Sequence, residues 1–380
     1  MPPTILEIDP AGDTLFILRN PNAPFAVDSS FEIWDTALPQ YWTPDQQQDE
    51  ENLKSSALVE TPAAGSTPEI HMRLSSKHLT LSSIYFQRLT ANDWKETKAE
   101  SGYSYTVTAE EWDEEALIIL MNIIHGQTQK VPLDVDLEKL AKIAVLVDYY
   151  KCHKAVDFFA KVWVSRLQSG PFLYYSRELL LRLFVSYVFS EYYHFTKLTR
   201  TIIYVSRGPI HTLGLPMPKE LVDALDKSRQ RLISGFASSL NTLKTQLSKE
   251  ETECSFECLS LSLGVLVKGM RAMRLHDPQP TEPFDGYSVY AIENAIKNIK
   301  MPEYHRPIRH ETGIFAMGNT TATATASSTK TGSGSGFFNF NLKLNCNLEN
   351  KTKPIIHSQL AELRGLVLES FANWDPLLDN

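Results

Sequence analysis

The sequence predicts an α+β unit followed by a mainly α-helical one. Three observations carry that expectation. Short strand-like runs, the apolar Thr14 to Leu18 and the alternating Ile70 to Leu74 and Tyr103 to Val107, occur only in the first third of the chain apart from one late run near the C-terminus. From Trp112 onward, apolar residues recur at helical spacing. Between Phe172 and Leu275 the pattern is wholly helical, broken by one Pro/Gly-rich connector, RGPIHTLGLPMP.

Taken in order, the turn-former Asp9-Pro10-Ala11-Gly12-Asp13 precedes a first strand, Thr14 to Leu18. From Asn20 to Pro68, Pro, Gln, Ser and acids dominate, which predicts a flexible insertion at 20–68 with one apolar island, Phe31 to Trp42. Ile70, Met72 and Leu74 form a strand with one buried face, and Leu79, Leu81, Ile84, Tyr85, Phe86 and Leu89 follow as a compact apolar set with Ser82 and Ser83 at a cap position. Thr108-Ala109-Glu110-Glu111 fits a capping box for a helix from Trp112 to Ile124, closed by Gly126. A helix pair follows. Leu137, Leu140, Ala144 and Val147 mark one face of the first, and Ala155, Phe158, Phe159, Val162 and Trp163 mark the second, which ends at Gly170-Pro171.

The helical region divides into a segment up to Phe189, then Lys197 to Ser206, Lys219 to Lys249, Phe256 to Met273 and Tyr287 to Ile299. The low-complexity run 319–336, within a linker at 301–336, predicts disorder. A strand-like alternation from Phe338 to Leu344 and an amphipathic helix with Ile356, Leu360, Leu363, Val367 and Phe371 on one face complete the chain at 337–380. The domain division expected is therefore 1–168, 169–300, the linker, and the C-terminal segment.

Composition narrows the function. Of 380 residues, 43% are apolar and 22% charged, the balance of a globular protein, and the formal net charge of −8 opposes a nucleic-acid-coating surface. The N-terminus shows no basic, apolar leader, and the most apolar run, Leu179 to Phe189, is interrupted by Arg182 and too short to span a bilayer. Four cysteines without an export signal read as reduced thiols in an intracellular protein, cytoplasmic or nuclear.

No G-x-S-x-G, P-loop, G-x-G-x-x-G or H-E-x-x-H occurs, so no enzyme and no cofactor are expected. Asp113, Glu114 and Glu115 complement a helix dipole instead of forming a catalytic pair. Cys254 and Cys258 lie one helical turn apart. With Cys346 and His357 they could complete a tetrahedral zinc site, but free thiols at helical spacing read first as core residues. Lys151-Cys152-His153-Lys154 reads as a helix–turn junction. Trp94, Trp112, Tyr149, Tyr150, Phe158, Phe159 and Trp163 lack the interleaved Lys and Arg that base stacking would want, and most keep core spacing.

The first 168 residues resemble a BTB/POZ domain. The likeness is carried by Asp13 before TLFIL, by MRLSSKHLTLSSIYFQRL with Leu74, Leu79, Ser83 and Phe86, by VTAEEWDEEALIILMNIIHG, and by VDLEKLAKIAVLVDYYKCHKAVDFFAKVW. Ser75 stands where that family has His, and Ile84 where it has Pro. The whole chain is similar to a set of mostly uncharacterised BTB-domain proteins of filamentous fungi, through EIDPAGD, SRGPIHTLGLPMP, CSFEC and CNL. The resemblance implies a dimerising, partner-recruiting α+β fold with Asp13 at the dimer seam. It also implies a cullin-binding element, because Trp94 and Glu96 follow Phe86 by eight and ten residues, the spacing of the family's hydrophobic-x-Glu element.

The expected function is thus protein–protein interaction: self-association or recruitment through Asp13, Trp94 and Glu96, including a cullin scaffold as a ubiquitin-ligase substrate adaptor. The alternative is a zinc-stabilised structural or regulatory protein using the late cysteines. Neither nucleic acid nor membrane is an expected partner.

Overall fold

The computed structural model describes residues 5–27, 68–91, 102–167, 174–249, 256–301 and 347–371. Among them a small sheet carries β1 (Ile5–Glu7), β2 (Thr14–Arg19), β3 (Glu69–Leu74) and β4 (Tyr105–Glu110) in the order β1-β3-β2-β4. β2 runs antiparallel to β3 and parallel to β4, with Phe16 opposite both Met72 and Val107. β2 is central and buried from Thr14 to Leu18, which is why it reads as a near-continuous apolar run. β1 was not expected. It is three residues long, exposed, and pairs parallel to β3 at the sheet edge.

Helices cover this sheet. α1 (Ser76–Ser82) and α2 (Ile84–Ala91) follow β3, and α3 (Glu114–Ile124), α4 (Leu137–Tyr150) and α5 (His153–Arg166) follow β4. Ser83 joins the first two: its hydroxyl donates to the Tyr150 carbonyl and accepts the Phe86 N–H. Between α4 and α5, Lys151 takes a left-handed φ of 50° and Cys152 is buried, the expected junction. Trp163 is buried on α5, and its indole N–H donates to the Pro132 carbonyl at 2.8 Å.

The remaining helices are α6 (Arg177–Val188), α7 (Tyr192–Val205), α8 (Lys219–Ser248), α9 (Phe256–Ala272), α10 (Val289–Lys297) and α11 (Leu348–Ala361). α6 packs on α4, and the apolar core is continuous from the sheet into the helical region. The architecture is mixed α and β, a small sheet with a predominance of helix, as the sequence indicates at that level.

Several local expectations fail for identifiable reasons. Thr108 to Glu110 belong to β4, so no capping box forms there. Glu111 has a φ of +67°, and Asp113 caps α3 by accepting the Ala116 N–H at 2.9 Å. The insertion does not begin at Asn20. Residues 20–27 are fixed by Asn22, which bonds both the Trp112 carbonyl and the Glu114 N–H, and by Arg177, which donates to the Phe25 and Ala26 carbonyls at 3.1 Å. The rest of that expectation, together with the linker, the disordered run and the strand at 338–344, lies outside the described residues.

α7 starts at Tyr192, five residues before the expected Lys197. α11 ends at Ala361, so Val367 and Phe371 are not on its face. Leu368, not Val367, is buried. Past the helix Gly365 meets α7 at close range, where a Cβ would overlap the Thr196 carbonyl oxygen. The Leu366 N–H then donates to the Thr199 hydroxyl at 2.9 Å, and the Thr196 hydroxyl donates to the Leu366 carbonyl at 3.2 Å.

Candidate partner-binding site

Asp13 ends the turn before β2 and points at the start of α1. Its two oxygens accept the Ser76 N–H at 2.8 Å and the Ser76 hydroxyl at 2.7 Å. The residue at the helix cap, Ser75, makes no side-chain cap bond, so a carboxylate distant in sequence satisfies that end of the helix. Partial burial alone would raise the Asp13 carboxyl. The Ser76 bonds, with a weaker one from Thr14, outweigh that and hold it below the usual carboxylate value. Asp13 is therefore engaged inside its own unit.

Replacing Asp13 by Ala should cost about 1–2 kcal/mol, the loss of a cap, measurable by urea titration. The sign with pH follows from the lowered value. The bonds stabilise the fold fully above the unfolded value near 3.8, and that stabilisation is lost as pH falls below it. Wild type and Asp13→Ala should then converge in strong acid.

Beside this junction the core opens to the surface through aromatic rings. Phe86 stacks on Tyr150 with centroids 5.1 Å apart and planes 11° apart. Tyr85 touches both, and Tyr149 lies 5.3 Å from Tyr85 and 5.2 Å from Trp112. The Trp112 indole N–H donates to the buried Tyr150 hydroxyl at 3.2 Å. Burial drives the Tyr150 phenol far above its ordinary value, so it stays protonated. Tyr149, 47% exposed, is the outer face of this stack.

Two other apolar side chains overturn the core expectation, Leu81 at 87% exposed and Phe158 at 69%. The reason is helical geometry. Leu81 lies two residues, about 200°, from the buried Leu79, and Phe158 lies about 100° from the buried Phe159. Spacing alone could not say which of the adjacent Phe158 and Phe159 faces inward. Trp94 and Glu96 lie outside the described residues, just beyond the end of α2.

A cleft of about 370 Å³ lies between residues 23–27, the start of α3, α4 and the connector at 213–216. Its charged lining includes Asp113 and Lys142, which bond each other at 2.9 Å, and Lys139 joins Asp113 at 3.0 Å. Glu138 extends the network to Lys142 at 3.1 Å and to Arg177 at 3.0 Å. Partial burial opposes the charged form of Asp113, yet the Ala116 N–H and the two lysines hold its carboxyl below the usual range. The network fastens α3, α4 and α6 together.

Of the late cysteines, Cys254 and Cys346 lie outside the described residues. Cys258 is buried on α9, while His357 is exposed on α11. Among the described residues no group of three His, Cys, Asp or Glu is placed to hold a metal ion. Cys152 is buried, and burial pushes its thiol up to about 12. Under native conditions a thiol reagent should leave Cys152 and Cys258 unmodified and label them only after denaturation, as peptide mass spectrometry would read. Rapid native labelling of either would contradict this packing.

Among the described residues no helix is long and apolar enough to cross a membrane. Comparison of the chain with protein-family models, curated proteins and solved structures finds no match in any of the three.

Proposed function

We propose that this chain is a protein–protein interaction module whose N-terminal unit, BTB/POZ-like in its sequence, self-associates or recruits a partner. The observation that carries the reading is the aromatic stack that runs from buried Phe86 and Tyr150 out to Tyr149. Tyr and Trp are the side chains that most often anchor interfaces, because they bury large area with few rotamers to fix. The stack stands at the base of α2, and in the sequence Trp94 and Glu96 follow α2 by three and five residues. The adaptor form of the proposal assigns those two residues to a cullin-type partner.

Light scattering on the full chain at micromolar concentration tests self-association. A dimer is expected, and Tyr149→Ser should weaken it at least tenfold while changing the melting temperature little. A monomer at every concentration would remove self-association. For the adaptor form, Trp94→Ala should cost roughly 2 kcal/mol of binding to a cullin scaffold with stability unchanged. Binding that survives Trp94→Ala would end it.

A further inference from the structure

His125 follows α3 and is largely buried, and its two ring nitrogens face partners of opposite kind. Nδ1 lies 2.8 Å from the Met121 carbonyl oxygen, which can only accept, so Nδ1 carries the hydrogen. Nε2 lies 3.0 Å from the Ser75 backbone nitrogen, which can only donate, so Nε2 is bare. The ring is thereby fixed as one neutral tautomer.

We propose that His125 is an acid-sensitive latch on the junction between β3 and α1: the neutral ring holds Ser75, and a proton taken at Nε2 releases it. With that proton in place, two donors face each other at hydrogen-bond distance, and one must move away. Three donors start α1, namely the Ser75 N–H, the Ser76 N–H and the Ser76 hydroxyl. His125 holds the first and Asp13 holds the other two. Losing His125 leaves Asp13 as the remaining one of these two acceptors at that end of the seven-residue helix.

The charged groups facing the ring come from two elements. His78 of α1 is exposed, with its ring centroid 5.1 Å from that of His125, and Asp9 lies in the turn after β1. Asp13 acts one residue further on, through Ser76. Burial is the largest influence and holds the imidazole below its ordinary 6.5. The Met121 bond, Asp9 and the Ser75 backbone oppose it, and His78 adds to it. The stabilisation from the neutral ring is then complete above the unfolded value of 6.5 and is lost as pH falls from there through the folded value. α1 carries Leu81 outward, so the latch couples proton uptake to the seat of an exposed apolar side chain.

The test uses the isotope-labelled full chain. Imidazole NMR should show His125 at neutral pH as the Nδ1–H tautomer, titrating below the ordinary imidazole value of 6.5. Hydrogen exchange by mass spectrometry should show protection around Ser75 falling by about tenfold per pH unit below 6.5, the slope of one proton. In His125→Gln, protection over the same range should not vary with pH. An Nε2–H tautomer, a His125 titration at or above 6.5, or the same pH dependence in His125→Gln would overturn the latch. Where the variant fails to fold, the tautomer and titration of the wild-type ring decide the matter.

Discussion

Replacing Arg229 by Met is expected to destabilise the chain by about 3–5 kcal/mol, read as a lower urea midpoint with an unchanged slope. Arg229 projects from α8 and is 0% exposed. Its guanidinium donates to the carbonyls of Pro283, Phe284 and Tyr287, the last two at 3.3 Å, and so seats the loop that leads into α10. Methionine fills similar volume but removes the donor to the Pro283 and Tyr287 carbonyls and one of the two donors to the Phe284 carbonyl, which keeps the Tyr287 N–H. An acceptor left unpaired away from water costs about 1–3 kcal/mol. Lys should recover only part of the loss, because a point ammonium cannot span three carbonyls as a planar fork does.

The Arg229 variant also carries a pH signature. Asp226 lies 3.7 Å from Arg229, and burial already raises its carboxyl above 3.8 despite the nearby cation. Removing the cation raises it further. A carboxyl raised in the fold leaves stability intact below the unfolded value and erodes it as pH rises through the folded value. The deficit of Arg229→Met should therefore be larger at pH 7 than at pH 4. Equal deficits at both would mean that Asp226 does not sense Arg229.

Phe86→Ala should cost a comparable amount, about 3–5 kcal/mol by denaturant titration. Phe86 is fully buried, stacks on Tyr150, and meets Tyr85 edge to face at 5.3 Å. The cavity would open where α2 meets α4, under the platform that ends in Tyr149. Leu, closer in volume, should lose less than half as much. If Phe86→Ala also abolished self-association while Phe86→Leu kept it, the platform's support and its contact surface would be separated. A loss below about 1 kcal/mol for the Ala variant would show that the ring does not pack as described.

Much of the architecture was legible because the periodicity is strong where burial is one-sided. The long helix from Lys219 was bounded within one residue, since a Pro precedes it and apolar residues keep one face for its whole length. β1 was missed because three exposed residues carry no alternation. The capping box at Thr108 failed because the same letters suit a strand end, and only the pairing of β4 with β2 decides between them. Asp13 was singled out as a dimer-seam residue, whereas the structure shows it capping α1. Its partner, Ser76, could not be found from sequence, because the two are brought together only by the pairing of β2 and β3. His125 carried no signal at all. What makes it special is the pair of backbone groups it faces, and backbone groups have no letter.

The return of the C-terminal segment to the helical region changes what a break in the chain would mean. Residues 301 and 347 are both held, the first beside α10 and the second at the start of α11. Past that point Leu348, Ile356, Leu363 and Leu368 are buried, Phe371 lies against Phe195, and the Tyr187 hydroxyl donates to the Phe371 carbonyl. A single protease cut between 302 and 346 would thus yield two polypeptides that still form one particle. Such a nicked molecule would elute from a sizing column like the intact chain and separate only in denaturant, so integrity judged by native size alone would overlook it.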